Sequence, residues 1–522
     1  MSTIGQHNLA VLGERSFEQK GDYETLLFEG RWHRSGELFE RSRRIGAGLS
    51  GLGIEPGERV AVMMANSPEV GIAYQALWRA GAVVTPANFL LSVEELRHVI
   101  SDSGAVAVIT TPEFAGKVTD ATAGLDGVRL VISSGEVEGL VPLSSLEEAE
   151  PAEIVPRSDG ELAALMYTGG TTGRAKGVML THANLDYAGK AGFEASYVPG
   201  VNRGLATLPL SHSYGLLVTI ASLHHPERGV GALLRWFDPV AFLELIAEHQ
   251  LQQTAVVPTM LQILLSQPLE EHDLSSLRFV TSGGAPLAPE VAEQFIRRVP
   301  GVSIRQGYGL TETAALISSS PVGREKPGAV GLPVPGTELR ILDEQNRELP
   351  AGEVGEICAR SPGVMRGYWH SPGATAEAVR HGWLHTGDLG YLDEQGYLFI
   401  VDRKKDLIIR GGFNVYPRDV EDALLEHPAL EAAGVIGRPD QRHGEEVIAF
   451  VSLRPGAELG EAELIDWARG RIGGYKYPRE VHIIDAVPLT NIGKVDRKAL
   501  RARLQDHPAP NVPEQLGDAQ PA

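Results

Sequence analysis

Between Arg59 and Ser133 short apolar runs alternate with helical stretches, and this alternation constrains the fold more than any other feature. Arg59-Val60-Ala61-Val62-Met63-Met64 reads as a strand, residues 67–80 as a helix, and Ala82-Val83-Val84-Thr85 as a second strand. Residues 105–110 and 128–133 continue the series. Strands that return through helices build an α/β sheet covered on both faces. At 522 residues the chain exceeds what one core supports, so several units are predicted. The acidic, proline-containing stretch 146–160 reads as a surface connection between two of them.

Past Asp402 the texture changes. A strand at 407–409, a helix over about 417–426, strands at 432–437 and 446–453, and an amphipathic helix at 464–472 predict a small α+β unit. The division is therefore a large multi-subdomain α/β domain over 1–402 and a small α+β domain over 403–505. Residues 506–522, rich in Pro, Gln, Asp and Ala, read as a flexible tail too short for a fused carrier domain.

Charge and apolar content exclude several function classes. A formal charge of −20 argues against a surface built for nucleic acid or an anionic membrane, so any bound polyphosphate must be held by local groups. No apolar run reaches the ~18 residues of a membrane span. The start, Met1 to Asn8, lacks a charged and then apolar leader, which predicts a cytoplasmic protein. Cys358, the single cysteine, sits in an alternating strand pattern and reads as a core thiol. His224, His225, His381 and His385 have no zinc-ligand spacing, and no Gly-x-Ser-x-Gly elbow supports a hydrolase.

The most specific motif follows the strand-like Ala163-Ala164-Leu165-Met166: Thr168-Gly169-Gly170-Thr171-Thr172-Gly173-Arg174-Ala175-Lys176-Gly177. Glycines let backbone N–H groups face a polyphosphate, and the threonines and lysine add donors and charge. A P-loop reading fails, because Lys176-Gly177 leads into strand-like Val178-Met179-Leu180 and not into a helix.

This loop resembles that of the acyl-adenylate-forming superfamily of acyl-CoA synthetases, peptide-synthetase adenylation domains and luciferases. It departs at Gly169, where many members carry Ser, and at Ala175, where many carry Pro; the Gly-Gly form resembles a variant of fatty acyl-CoA synthetases. Further segments follow in the family's order: Pro209-Leu210-Ser211-His212-Ser213-Tyr214-Gly215, Ser282-Gly283-Gly284-Ala285-Pro286, Gln306-Gly307-Tyr308-Gly309-Leu310-Thr311-Glu312, Trp383-Leu384-His385-Thr386-Gly387-Asp388 and Pro488-Leu489-Thr490-Asn491-Ile492-Gly493-Lys494. The resemblance spans about residues 23–500.

The resemblance implies an ATP-dependent acid:CoA ligase, with ATP, Mg²⁺ and coenzyme A as its small molecules and a monomer or homodimer as its assembly. It implies that Thr168 to Gly173 and Lys176 hold phosphates, that Gly284-Ala285-Pro286 lie along the adenine, that Tyr308 stacks on it and that Gly309 belongs to the nucleotide-binding set. Thr311 would meet the α-phosphate, Glu312 would hold Mg²⁺, and Asp388 with Arg403 would bind the ribose. His212 would gate the acid site. Lys494 would offset the charge that develops as a carboxylate attacks the α-phosphorus. The small domain would be mobile, swinging about Lys405 to present Gly411-Gly412-Phe413 to a pantetheine arm; the Gly-Gly pair also reads as a strand-to-helix turn. The Gly-Gly loop and the apolar Leu216, Leu217, Val218, Ile220 and Leu223 favour a fatty acid, though those apolar residues suit a core equally well. Aryl, short-chain or dicarboxylic acids and a carrier-protein acceptor are the alternatives, with Arg235 free to pair a second carboxylate or to serve the structure.

Overall fold

The computed structural model describes residues 4–168, 174–440, 442–490 and 494–506. Two compact units result, Met1–Ile400 and Val401–Ala522. Among the described residues no helix is long and apolar enough to cross a membrane.

In the first unit the predicted alternation forms a sheet of eight strands. Arg59–Met63 pairs in parallel with Val83–Pro86 on one side and with Ala105–Thr110 on the other. Pro68–Arg79, with proline in its first turn where no N–H partner is needed, is the intervening helix. Both faces of these strands are covered, and Val60, Val62 and Val84 belong to one core while Ala61, Met63 and Val108 belong to another. A second, nine-stranded sheet runs parallel through Arg203–Ala206, Gln253–Val256, Phe279–Ser282 and Ser303–Tyr308. A third, antiparallel sheet holds Glu338–Leu342, Gly355–Arg360 and Trp383–Leu392.

Leu216, Leu217 and Ile220 lie in the core shared with Leu185, Ala188, Ala191 and Leu316, where helix Ser213–His224 packs on helix His182–Ser196. These three residues are packing and give no support for a fatty-acid pocket. Cys358 is fully buried in its strand, as its alternating pattern predicts.

The second unit is a five-stranded sheet with helices Pro417–Leu425 and Glu461–Arg469 packed on it. Three of its elements escaped the sequence reading: the strand Phe413–Val415, the strand Glu480–Ile483, parallel to Gly444–Leu453, and the helix Arg497–Asp506. Gly411 and Gly412 are not a strand-to-helix turn. They join Ile408–Arg410 to Phe413–Val415 as a two-residue hairpin, with Arg410 opposite Phe413. Both glycines have positive φ, 58° and 82°, which this tight hairpin requires and side-chain-bearing residues resist.

Candidate active site

The parallel strands of the nine-stranded sheet end together, and the turns that follow them lie side by side. Ser282 is in register with Gln306, so the Gly283-Gly284 turn meets the Gly307 to Glu312 segment. A Cβ on Gly283 would come 3.1 Å from the Tyr214 ring and 3.3 Å from the Gly307 carbonyl oxygen. Ligands of open α/β sheets bind at such carboxyl ends. Gly309 is tighter still, since a Cβ there would sit 2.3 Å from the Ala315 carbonyl oxygen. Ala314 and Ala315 then take left-handed φ values of 50° and 78°, strain concentrated at the turn that carries Thr311 and Glu312.

Each predicted side chain of this turn meets a partner from another element. The Tyr308 hydroxyl donates to Asp388 Oδ2 at 2.7 Å, with both residues buried. The Thr311 hydroxyl reaches Ser213 Oγ at 3.4 Å, at the start of helix Ser213–His224. Glu312 Oε1 accepts from the Tyr368 hydroxyl at 2.8 Å. Burial and the Glu312 charge push the Tyr368 phenol well above its ordinary range, so it stays a donor.

Asp388 owes its position to an irregular ladder. The pairing of Gly355–Arg360 with Trp383–Leu392 shifts register between Glu356 and Cys358, a bulge of the kind that re-aims a side chain. Glu356 fills it, accepting from the Gly387 N–H at 3.3 Å and lying 3.2 Å from His385 Nδ1. Thr386 donates to the Ile357 carbonyl at 2.8 Å and accepts from the Asp388 N–H at 3.1 Å. Cys358 Sγ lies 3.4 Å from the same His385 nitrogen, a proximity of three metal-ligand residue types that no sequence spacing disclosed.

Thr168 and Lys176 are cross-strand partners in the antiparallel pair Leu162–Thr168 and Lys176–Thr181, so both ends of the glycine-threonine loop start from one place. Lys176 opens a strand and not a P-loop helix, in agreement with the sequence reading. Gly169, Gly170, Thr171, Thr172 and Gly173 lie outside the described residues. Lys176 Nζ sits 5.3 Å from the Tyr368 ring centroid, and Tyr368 also holds Glu312; one aromatic residue thus links the loop's end to the acidic turn.

His212 caps helix Ser213–His224, its Nδ1 accepting from the Tyr214 N–H at 3.2 Å, which places it beside Ser213 and hence near Thr311. Arg235 is engaged by Glu29 and Glu113, a structural use. His224 pairs with Asp186. Gly284 has a φ of 79°, so the turn it shares with Ala285 and Pro286 needs glycine there.

The remaining predicted residues belong to the second unit. Arg403 has its N–H held by Asp402 at 2.7 Å; Lys405 is exposed, and Phe413, 59% exposed, lies against Tyr475. Lys494 is half-buried and bonded to Thr490: the Thr490 N–H donates to the Lys494 carbonyl at 2.6 Å and the Lys494 N–H to Thr490 Oγ1 at 3.2 Å.

Sequence reasoning missed Tyr368, Glu356 and Ser213 as contributors. Ser213 stood inside a quoted motif without a role. Tyr368 stands 56 positions from Glu312 and Glu356 stands 31 from Gly387, separations at which no local pattern carries a signal.

The donor set suits Mg²⁺. It offers a carboxylate, Glu312, with one oxygen held by Tyr368 and the other without a hydrogen-bond partner among the described residues, beside hydroxyls; Mg²⁺ takes one or two carboxylates and fills its shell with phosphate oxygens and water.

Comparison with known proteins shows the family. The AMP-binding enzyme model matches residues 13–369, and the AMP-binding enzyme C-terminal domain matches 419–494. A long-chain-fatty-acid–CoA ligase of Escherichia coli O6:H1 is 37% identical over 535 residues, covering 95% of this chain and 94% of that protein. A feruloyl-CoA synthase of an Amycolatopsis species is 39% identical over 472 residues, covering 90% and 93%. ATP-bound MatB of Rhodopseudomonas palustris superposes with a TM-score of 0.87 at 33% identity, covering 95% of this chain and 99% of that one.

Proposed function

This chain belongs to the AMP-binding enzyme family, and on that premise we propose how its residues divide the work of an AMP-forming acyl-CoA ligase and which acid it takes. The enzyme is an acid–thiol ligase that uses ATP and coenzyme A as substrates, with Mg²⁺. In the first half-reaction a substrate carboxylate oxygen attacks the α-phosphorus of ATP, the bond to the β-phosphate oxygen breaks, and pyrophosphate leaves. In the second the thiolate of coenzyme A attacks the acyl carbonyl and AMP departs with the electron pair of the broken C–O bond.

The observation that carries the residue assignment is the convergence of Tyr308, Thr311, Glu312 and Asp388 with the Thr168–Lys176 hairpin end in one unit. Tyr308 presents a ring to the purine while its hydroxyl fixes Asp388 for the ribose. Thr311 donates to the α-phosphate and Lys176 pairs with phosphate charge. Glu312 holds Mg²⁺, which when bound neutralises phosphate charge. His212 borders the acid site. On the small domain, over 403–505, Lys494 stabilises the adenylation transition state, Arg403 reaches the ribose, Lys405 serves as hinge and Gly411-Gly412-Phe413 meets the pantetheine arm.

A fatty acid is the proposed substrate, supported by the Gly-Gly loop variant and by the long-chain-fatty-acid–CoA ligase among the relatives. A phenylpropenoic acid is the second reading, favoured by the feruloyl-CoA synthase at 39% identity. Acid-dependent ATP–pyrophosphate exchange across saturated fatty acids of graded length and hydroxycinnamic acids, followed by thioester formation with coenzyme A, decides between them. Exchange with hydroxycinnamates alone would sink the fatty-acid assignment. Lys494→Ala is expected to lose exchange by at least about a hundredfold, as for a preorganised transition-state donor, yet to form thioester from supplied acyl-adenylate; equal loss of both refutes its assigned role.

A further inference from the structure

Glu312 is tied twice to one short segment. Its carbonyl accepts from the Met365 N–H at 2.8 Å, and its carboxylate accepts from the Tyr368 hydroxyl at 2.8 Å. That segment is itself fastened to the strand that begins with Lys176. Gly367 and Tyr368 pair with Met179 and Val178, the Arg366 N–H donates to the Met179 carbonyl at 2.9 Å, and the Trp369 N–H to the Gly177 carbonyl at 2.7 Å. Thr375 Oγ1 accepts from the Tyr368 N–H at 2.8 Å, and the Trp369 indole donates to the Asp102 carbonyl at 3.1 Å. A Cβ at Gly367 would sit 2.8 Å from the Thr375 side chain, and its φ of 145° already disfavours any other residue, so the approach to Tyr368 depends on glycine.

The phenol therefore cannot drift without moving the strand of Lys176, and the carboxylate it holds cannot turn without breaking a hydrogen bond. We propose that Tyr368 is a positioning residue for Glu312: it fixes one carboxylate oxygen so that the other is aimed at the nucleotide-bound divalent cation, and it sets the spacing between that carboxylate and Lys176. The inference rests on Glu312 being the metal-holding residue, as assigned above.

A carboxylate free to rotate presents its oxygens to the cation only part of the time; one already hydrogen-bonded at a single oxygen meets the cation in the required orientation. Groups that orient a metal ligand in this way are worth 10- to 100-fold in metal affinity or activity.

The test uses the full chain with a non-hydrolysable ATP analogue and Mn²⁺ as the probe, with free Mn²⁺ read by its paramagnetic resonance signal. Tyr368→Phe keeps the ring beside Lys176 and removes only the donor. Its Mn²⁺ dissociation constant is expected to rise about tenfold, and its half-saturating Mg²⁺ in ATP–pyrophosphate exchange to rise in parallel, with exchange at saturating Mg²⁺ recovering to within about twofold of the parent. Glu312→Gln runs alongside as the control. If Glu312→Gln loses Mn²⁺ affinity while Tyr368→Phe does not, the positioning role is wrong and the function stands. If neither variant changes Mn²⁺ affinity, the assignment of Glu312 fails and the inference falls with it. Melting curves show whether Tyr368→Phe is folded at the assay temperature; a drop in exchange that is equal at every Mg²⁺ concentration also overturns the proposal.

Discussion

Replacing Tyr308 by phenylalanine removes one oxygen and leaves the ring in place. The hydroxyl donates to a carboxylate at 2.7 Å, and Tyr308 and Asp388 are 9% and 6% exposed, so water cannot substitute fully for the lost donor. A hydrogen bond to a charged group is worth about 1.5–3 kcal/mol, and the buried carboxylate left short of a donor places the cost in the upper half of that range. Urea unfolding of Tyr308→Phe, Asp388→Ala and the double variant closes a cycle that isolates the pair. A coupling of at least about 1.5 kcal/mol is expected, because residues in direct contact deviate from additivity while independent sites add within about 0.5 kcal/mol. ATP affinity, read by calorimetry, should fall in Tyr308→Phe as Asp388 loses its fixed orientation. A coupling below about 0.5 kcal/mol would refute the reasoning, since the hydroxyl would then act independently of the carboxylate.

Gly309→Ala would push a methyl group to 2.3 Å from the Ala315 carbonyl oxygen, a backbone clash with no flexible side chain to yield. It is expected to destabilise the first unit by about 3 kcal/mol or more and to abolish exchange, whereas Gly373→Ala, with open space around its Cβ, should do neither; equal melting temperatures for the two would count against the steric argument. In the second unit burial pushes Glu421 up to about 7, against the opposing pull of Arg497 at 2.6 Å and the Val435 N–H at 2.8 Å. A carboxyl whose folded value lies above its unfolded value stabilises the fold fully below about pH 4.5 and loses that contribution as pH rises through about 7. Stability of this unit should therefore fall between those values with an uptake of about one proton on folding, and Glu421→Gln should flatten the slope; an unchanged slope in that variant would show that another group titrates.

The βαβ alternation of residues 59–85 was legible because strands buried on both faces are continuously apolar and helices are not, a contrast that survives in any context. That Lys176 opens a strand was legible for a similar local reason: Val178, Met179 and Leu180 carry strand residues where a P-loop needs a helix. Tyr308, Thr311, Glu312 and Asp388 were named from motif resemblance, each motif being a contiguous run in the chain. Tertiary structure alone decided what each of them touches. Tyr308 finds Asp388 across 80 positions, Glu312 finds Tyr368 across 56, and a register shift opposite Glu356 re-aims the strand that carries Asp388. Tertiary structure also moved Leu216, Leu217 and Ile220 from a candidate pocket to a helix–helix core, because an apolar side chain carries no mark of which apolar surface it will meet. Local sequence specifies backbone conformation and residue chemistry; pairing between distant segments depends on loop closure and packing, and those are settled only when the whole chain has folded.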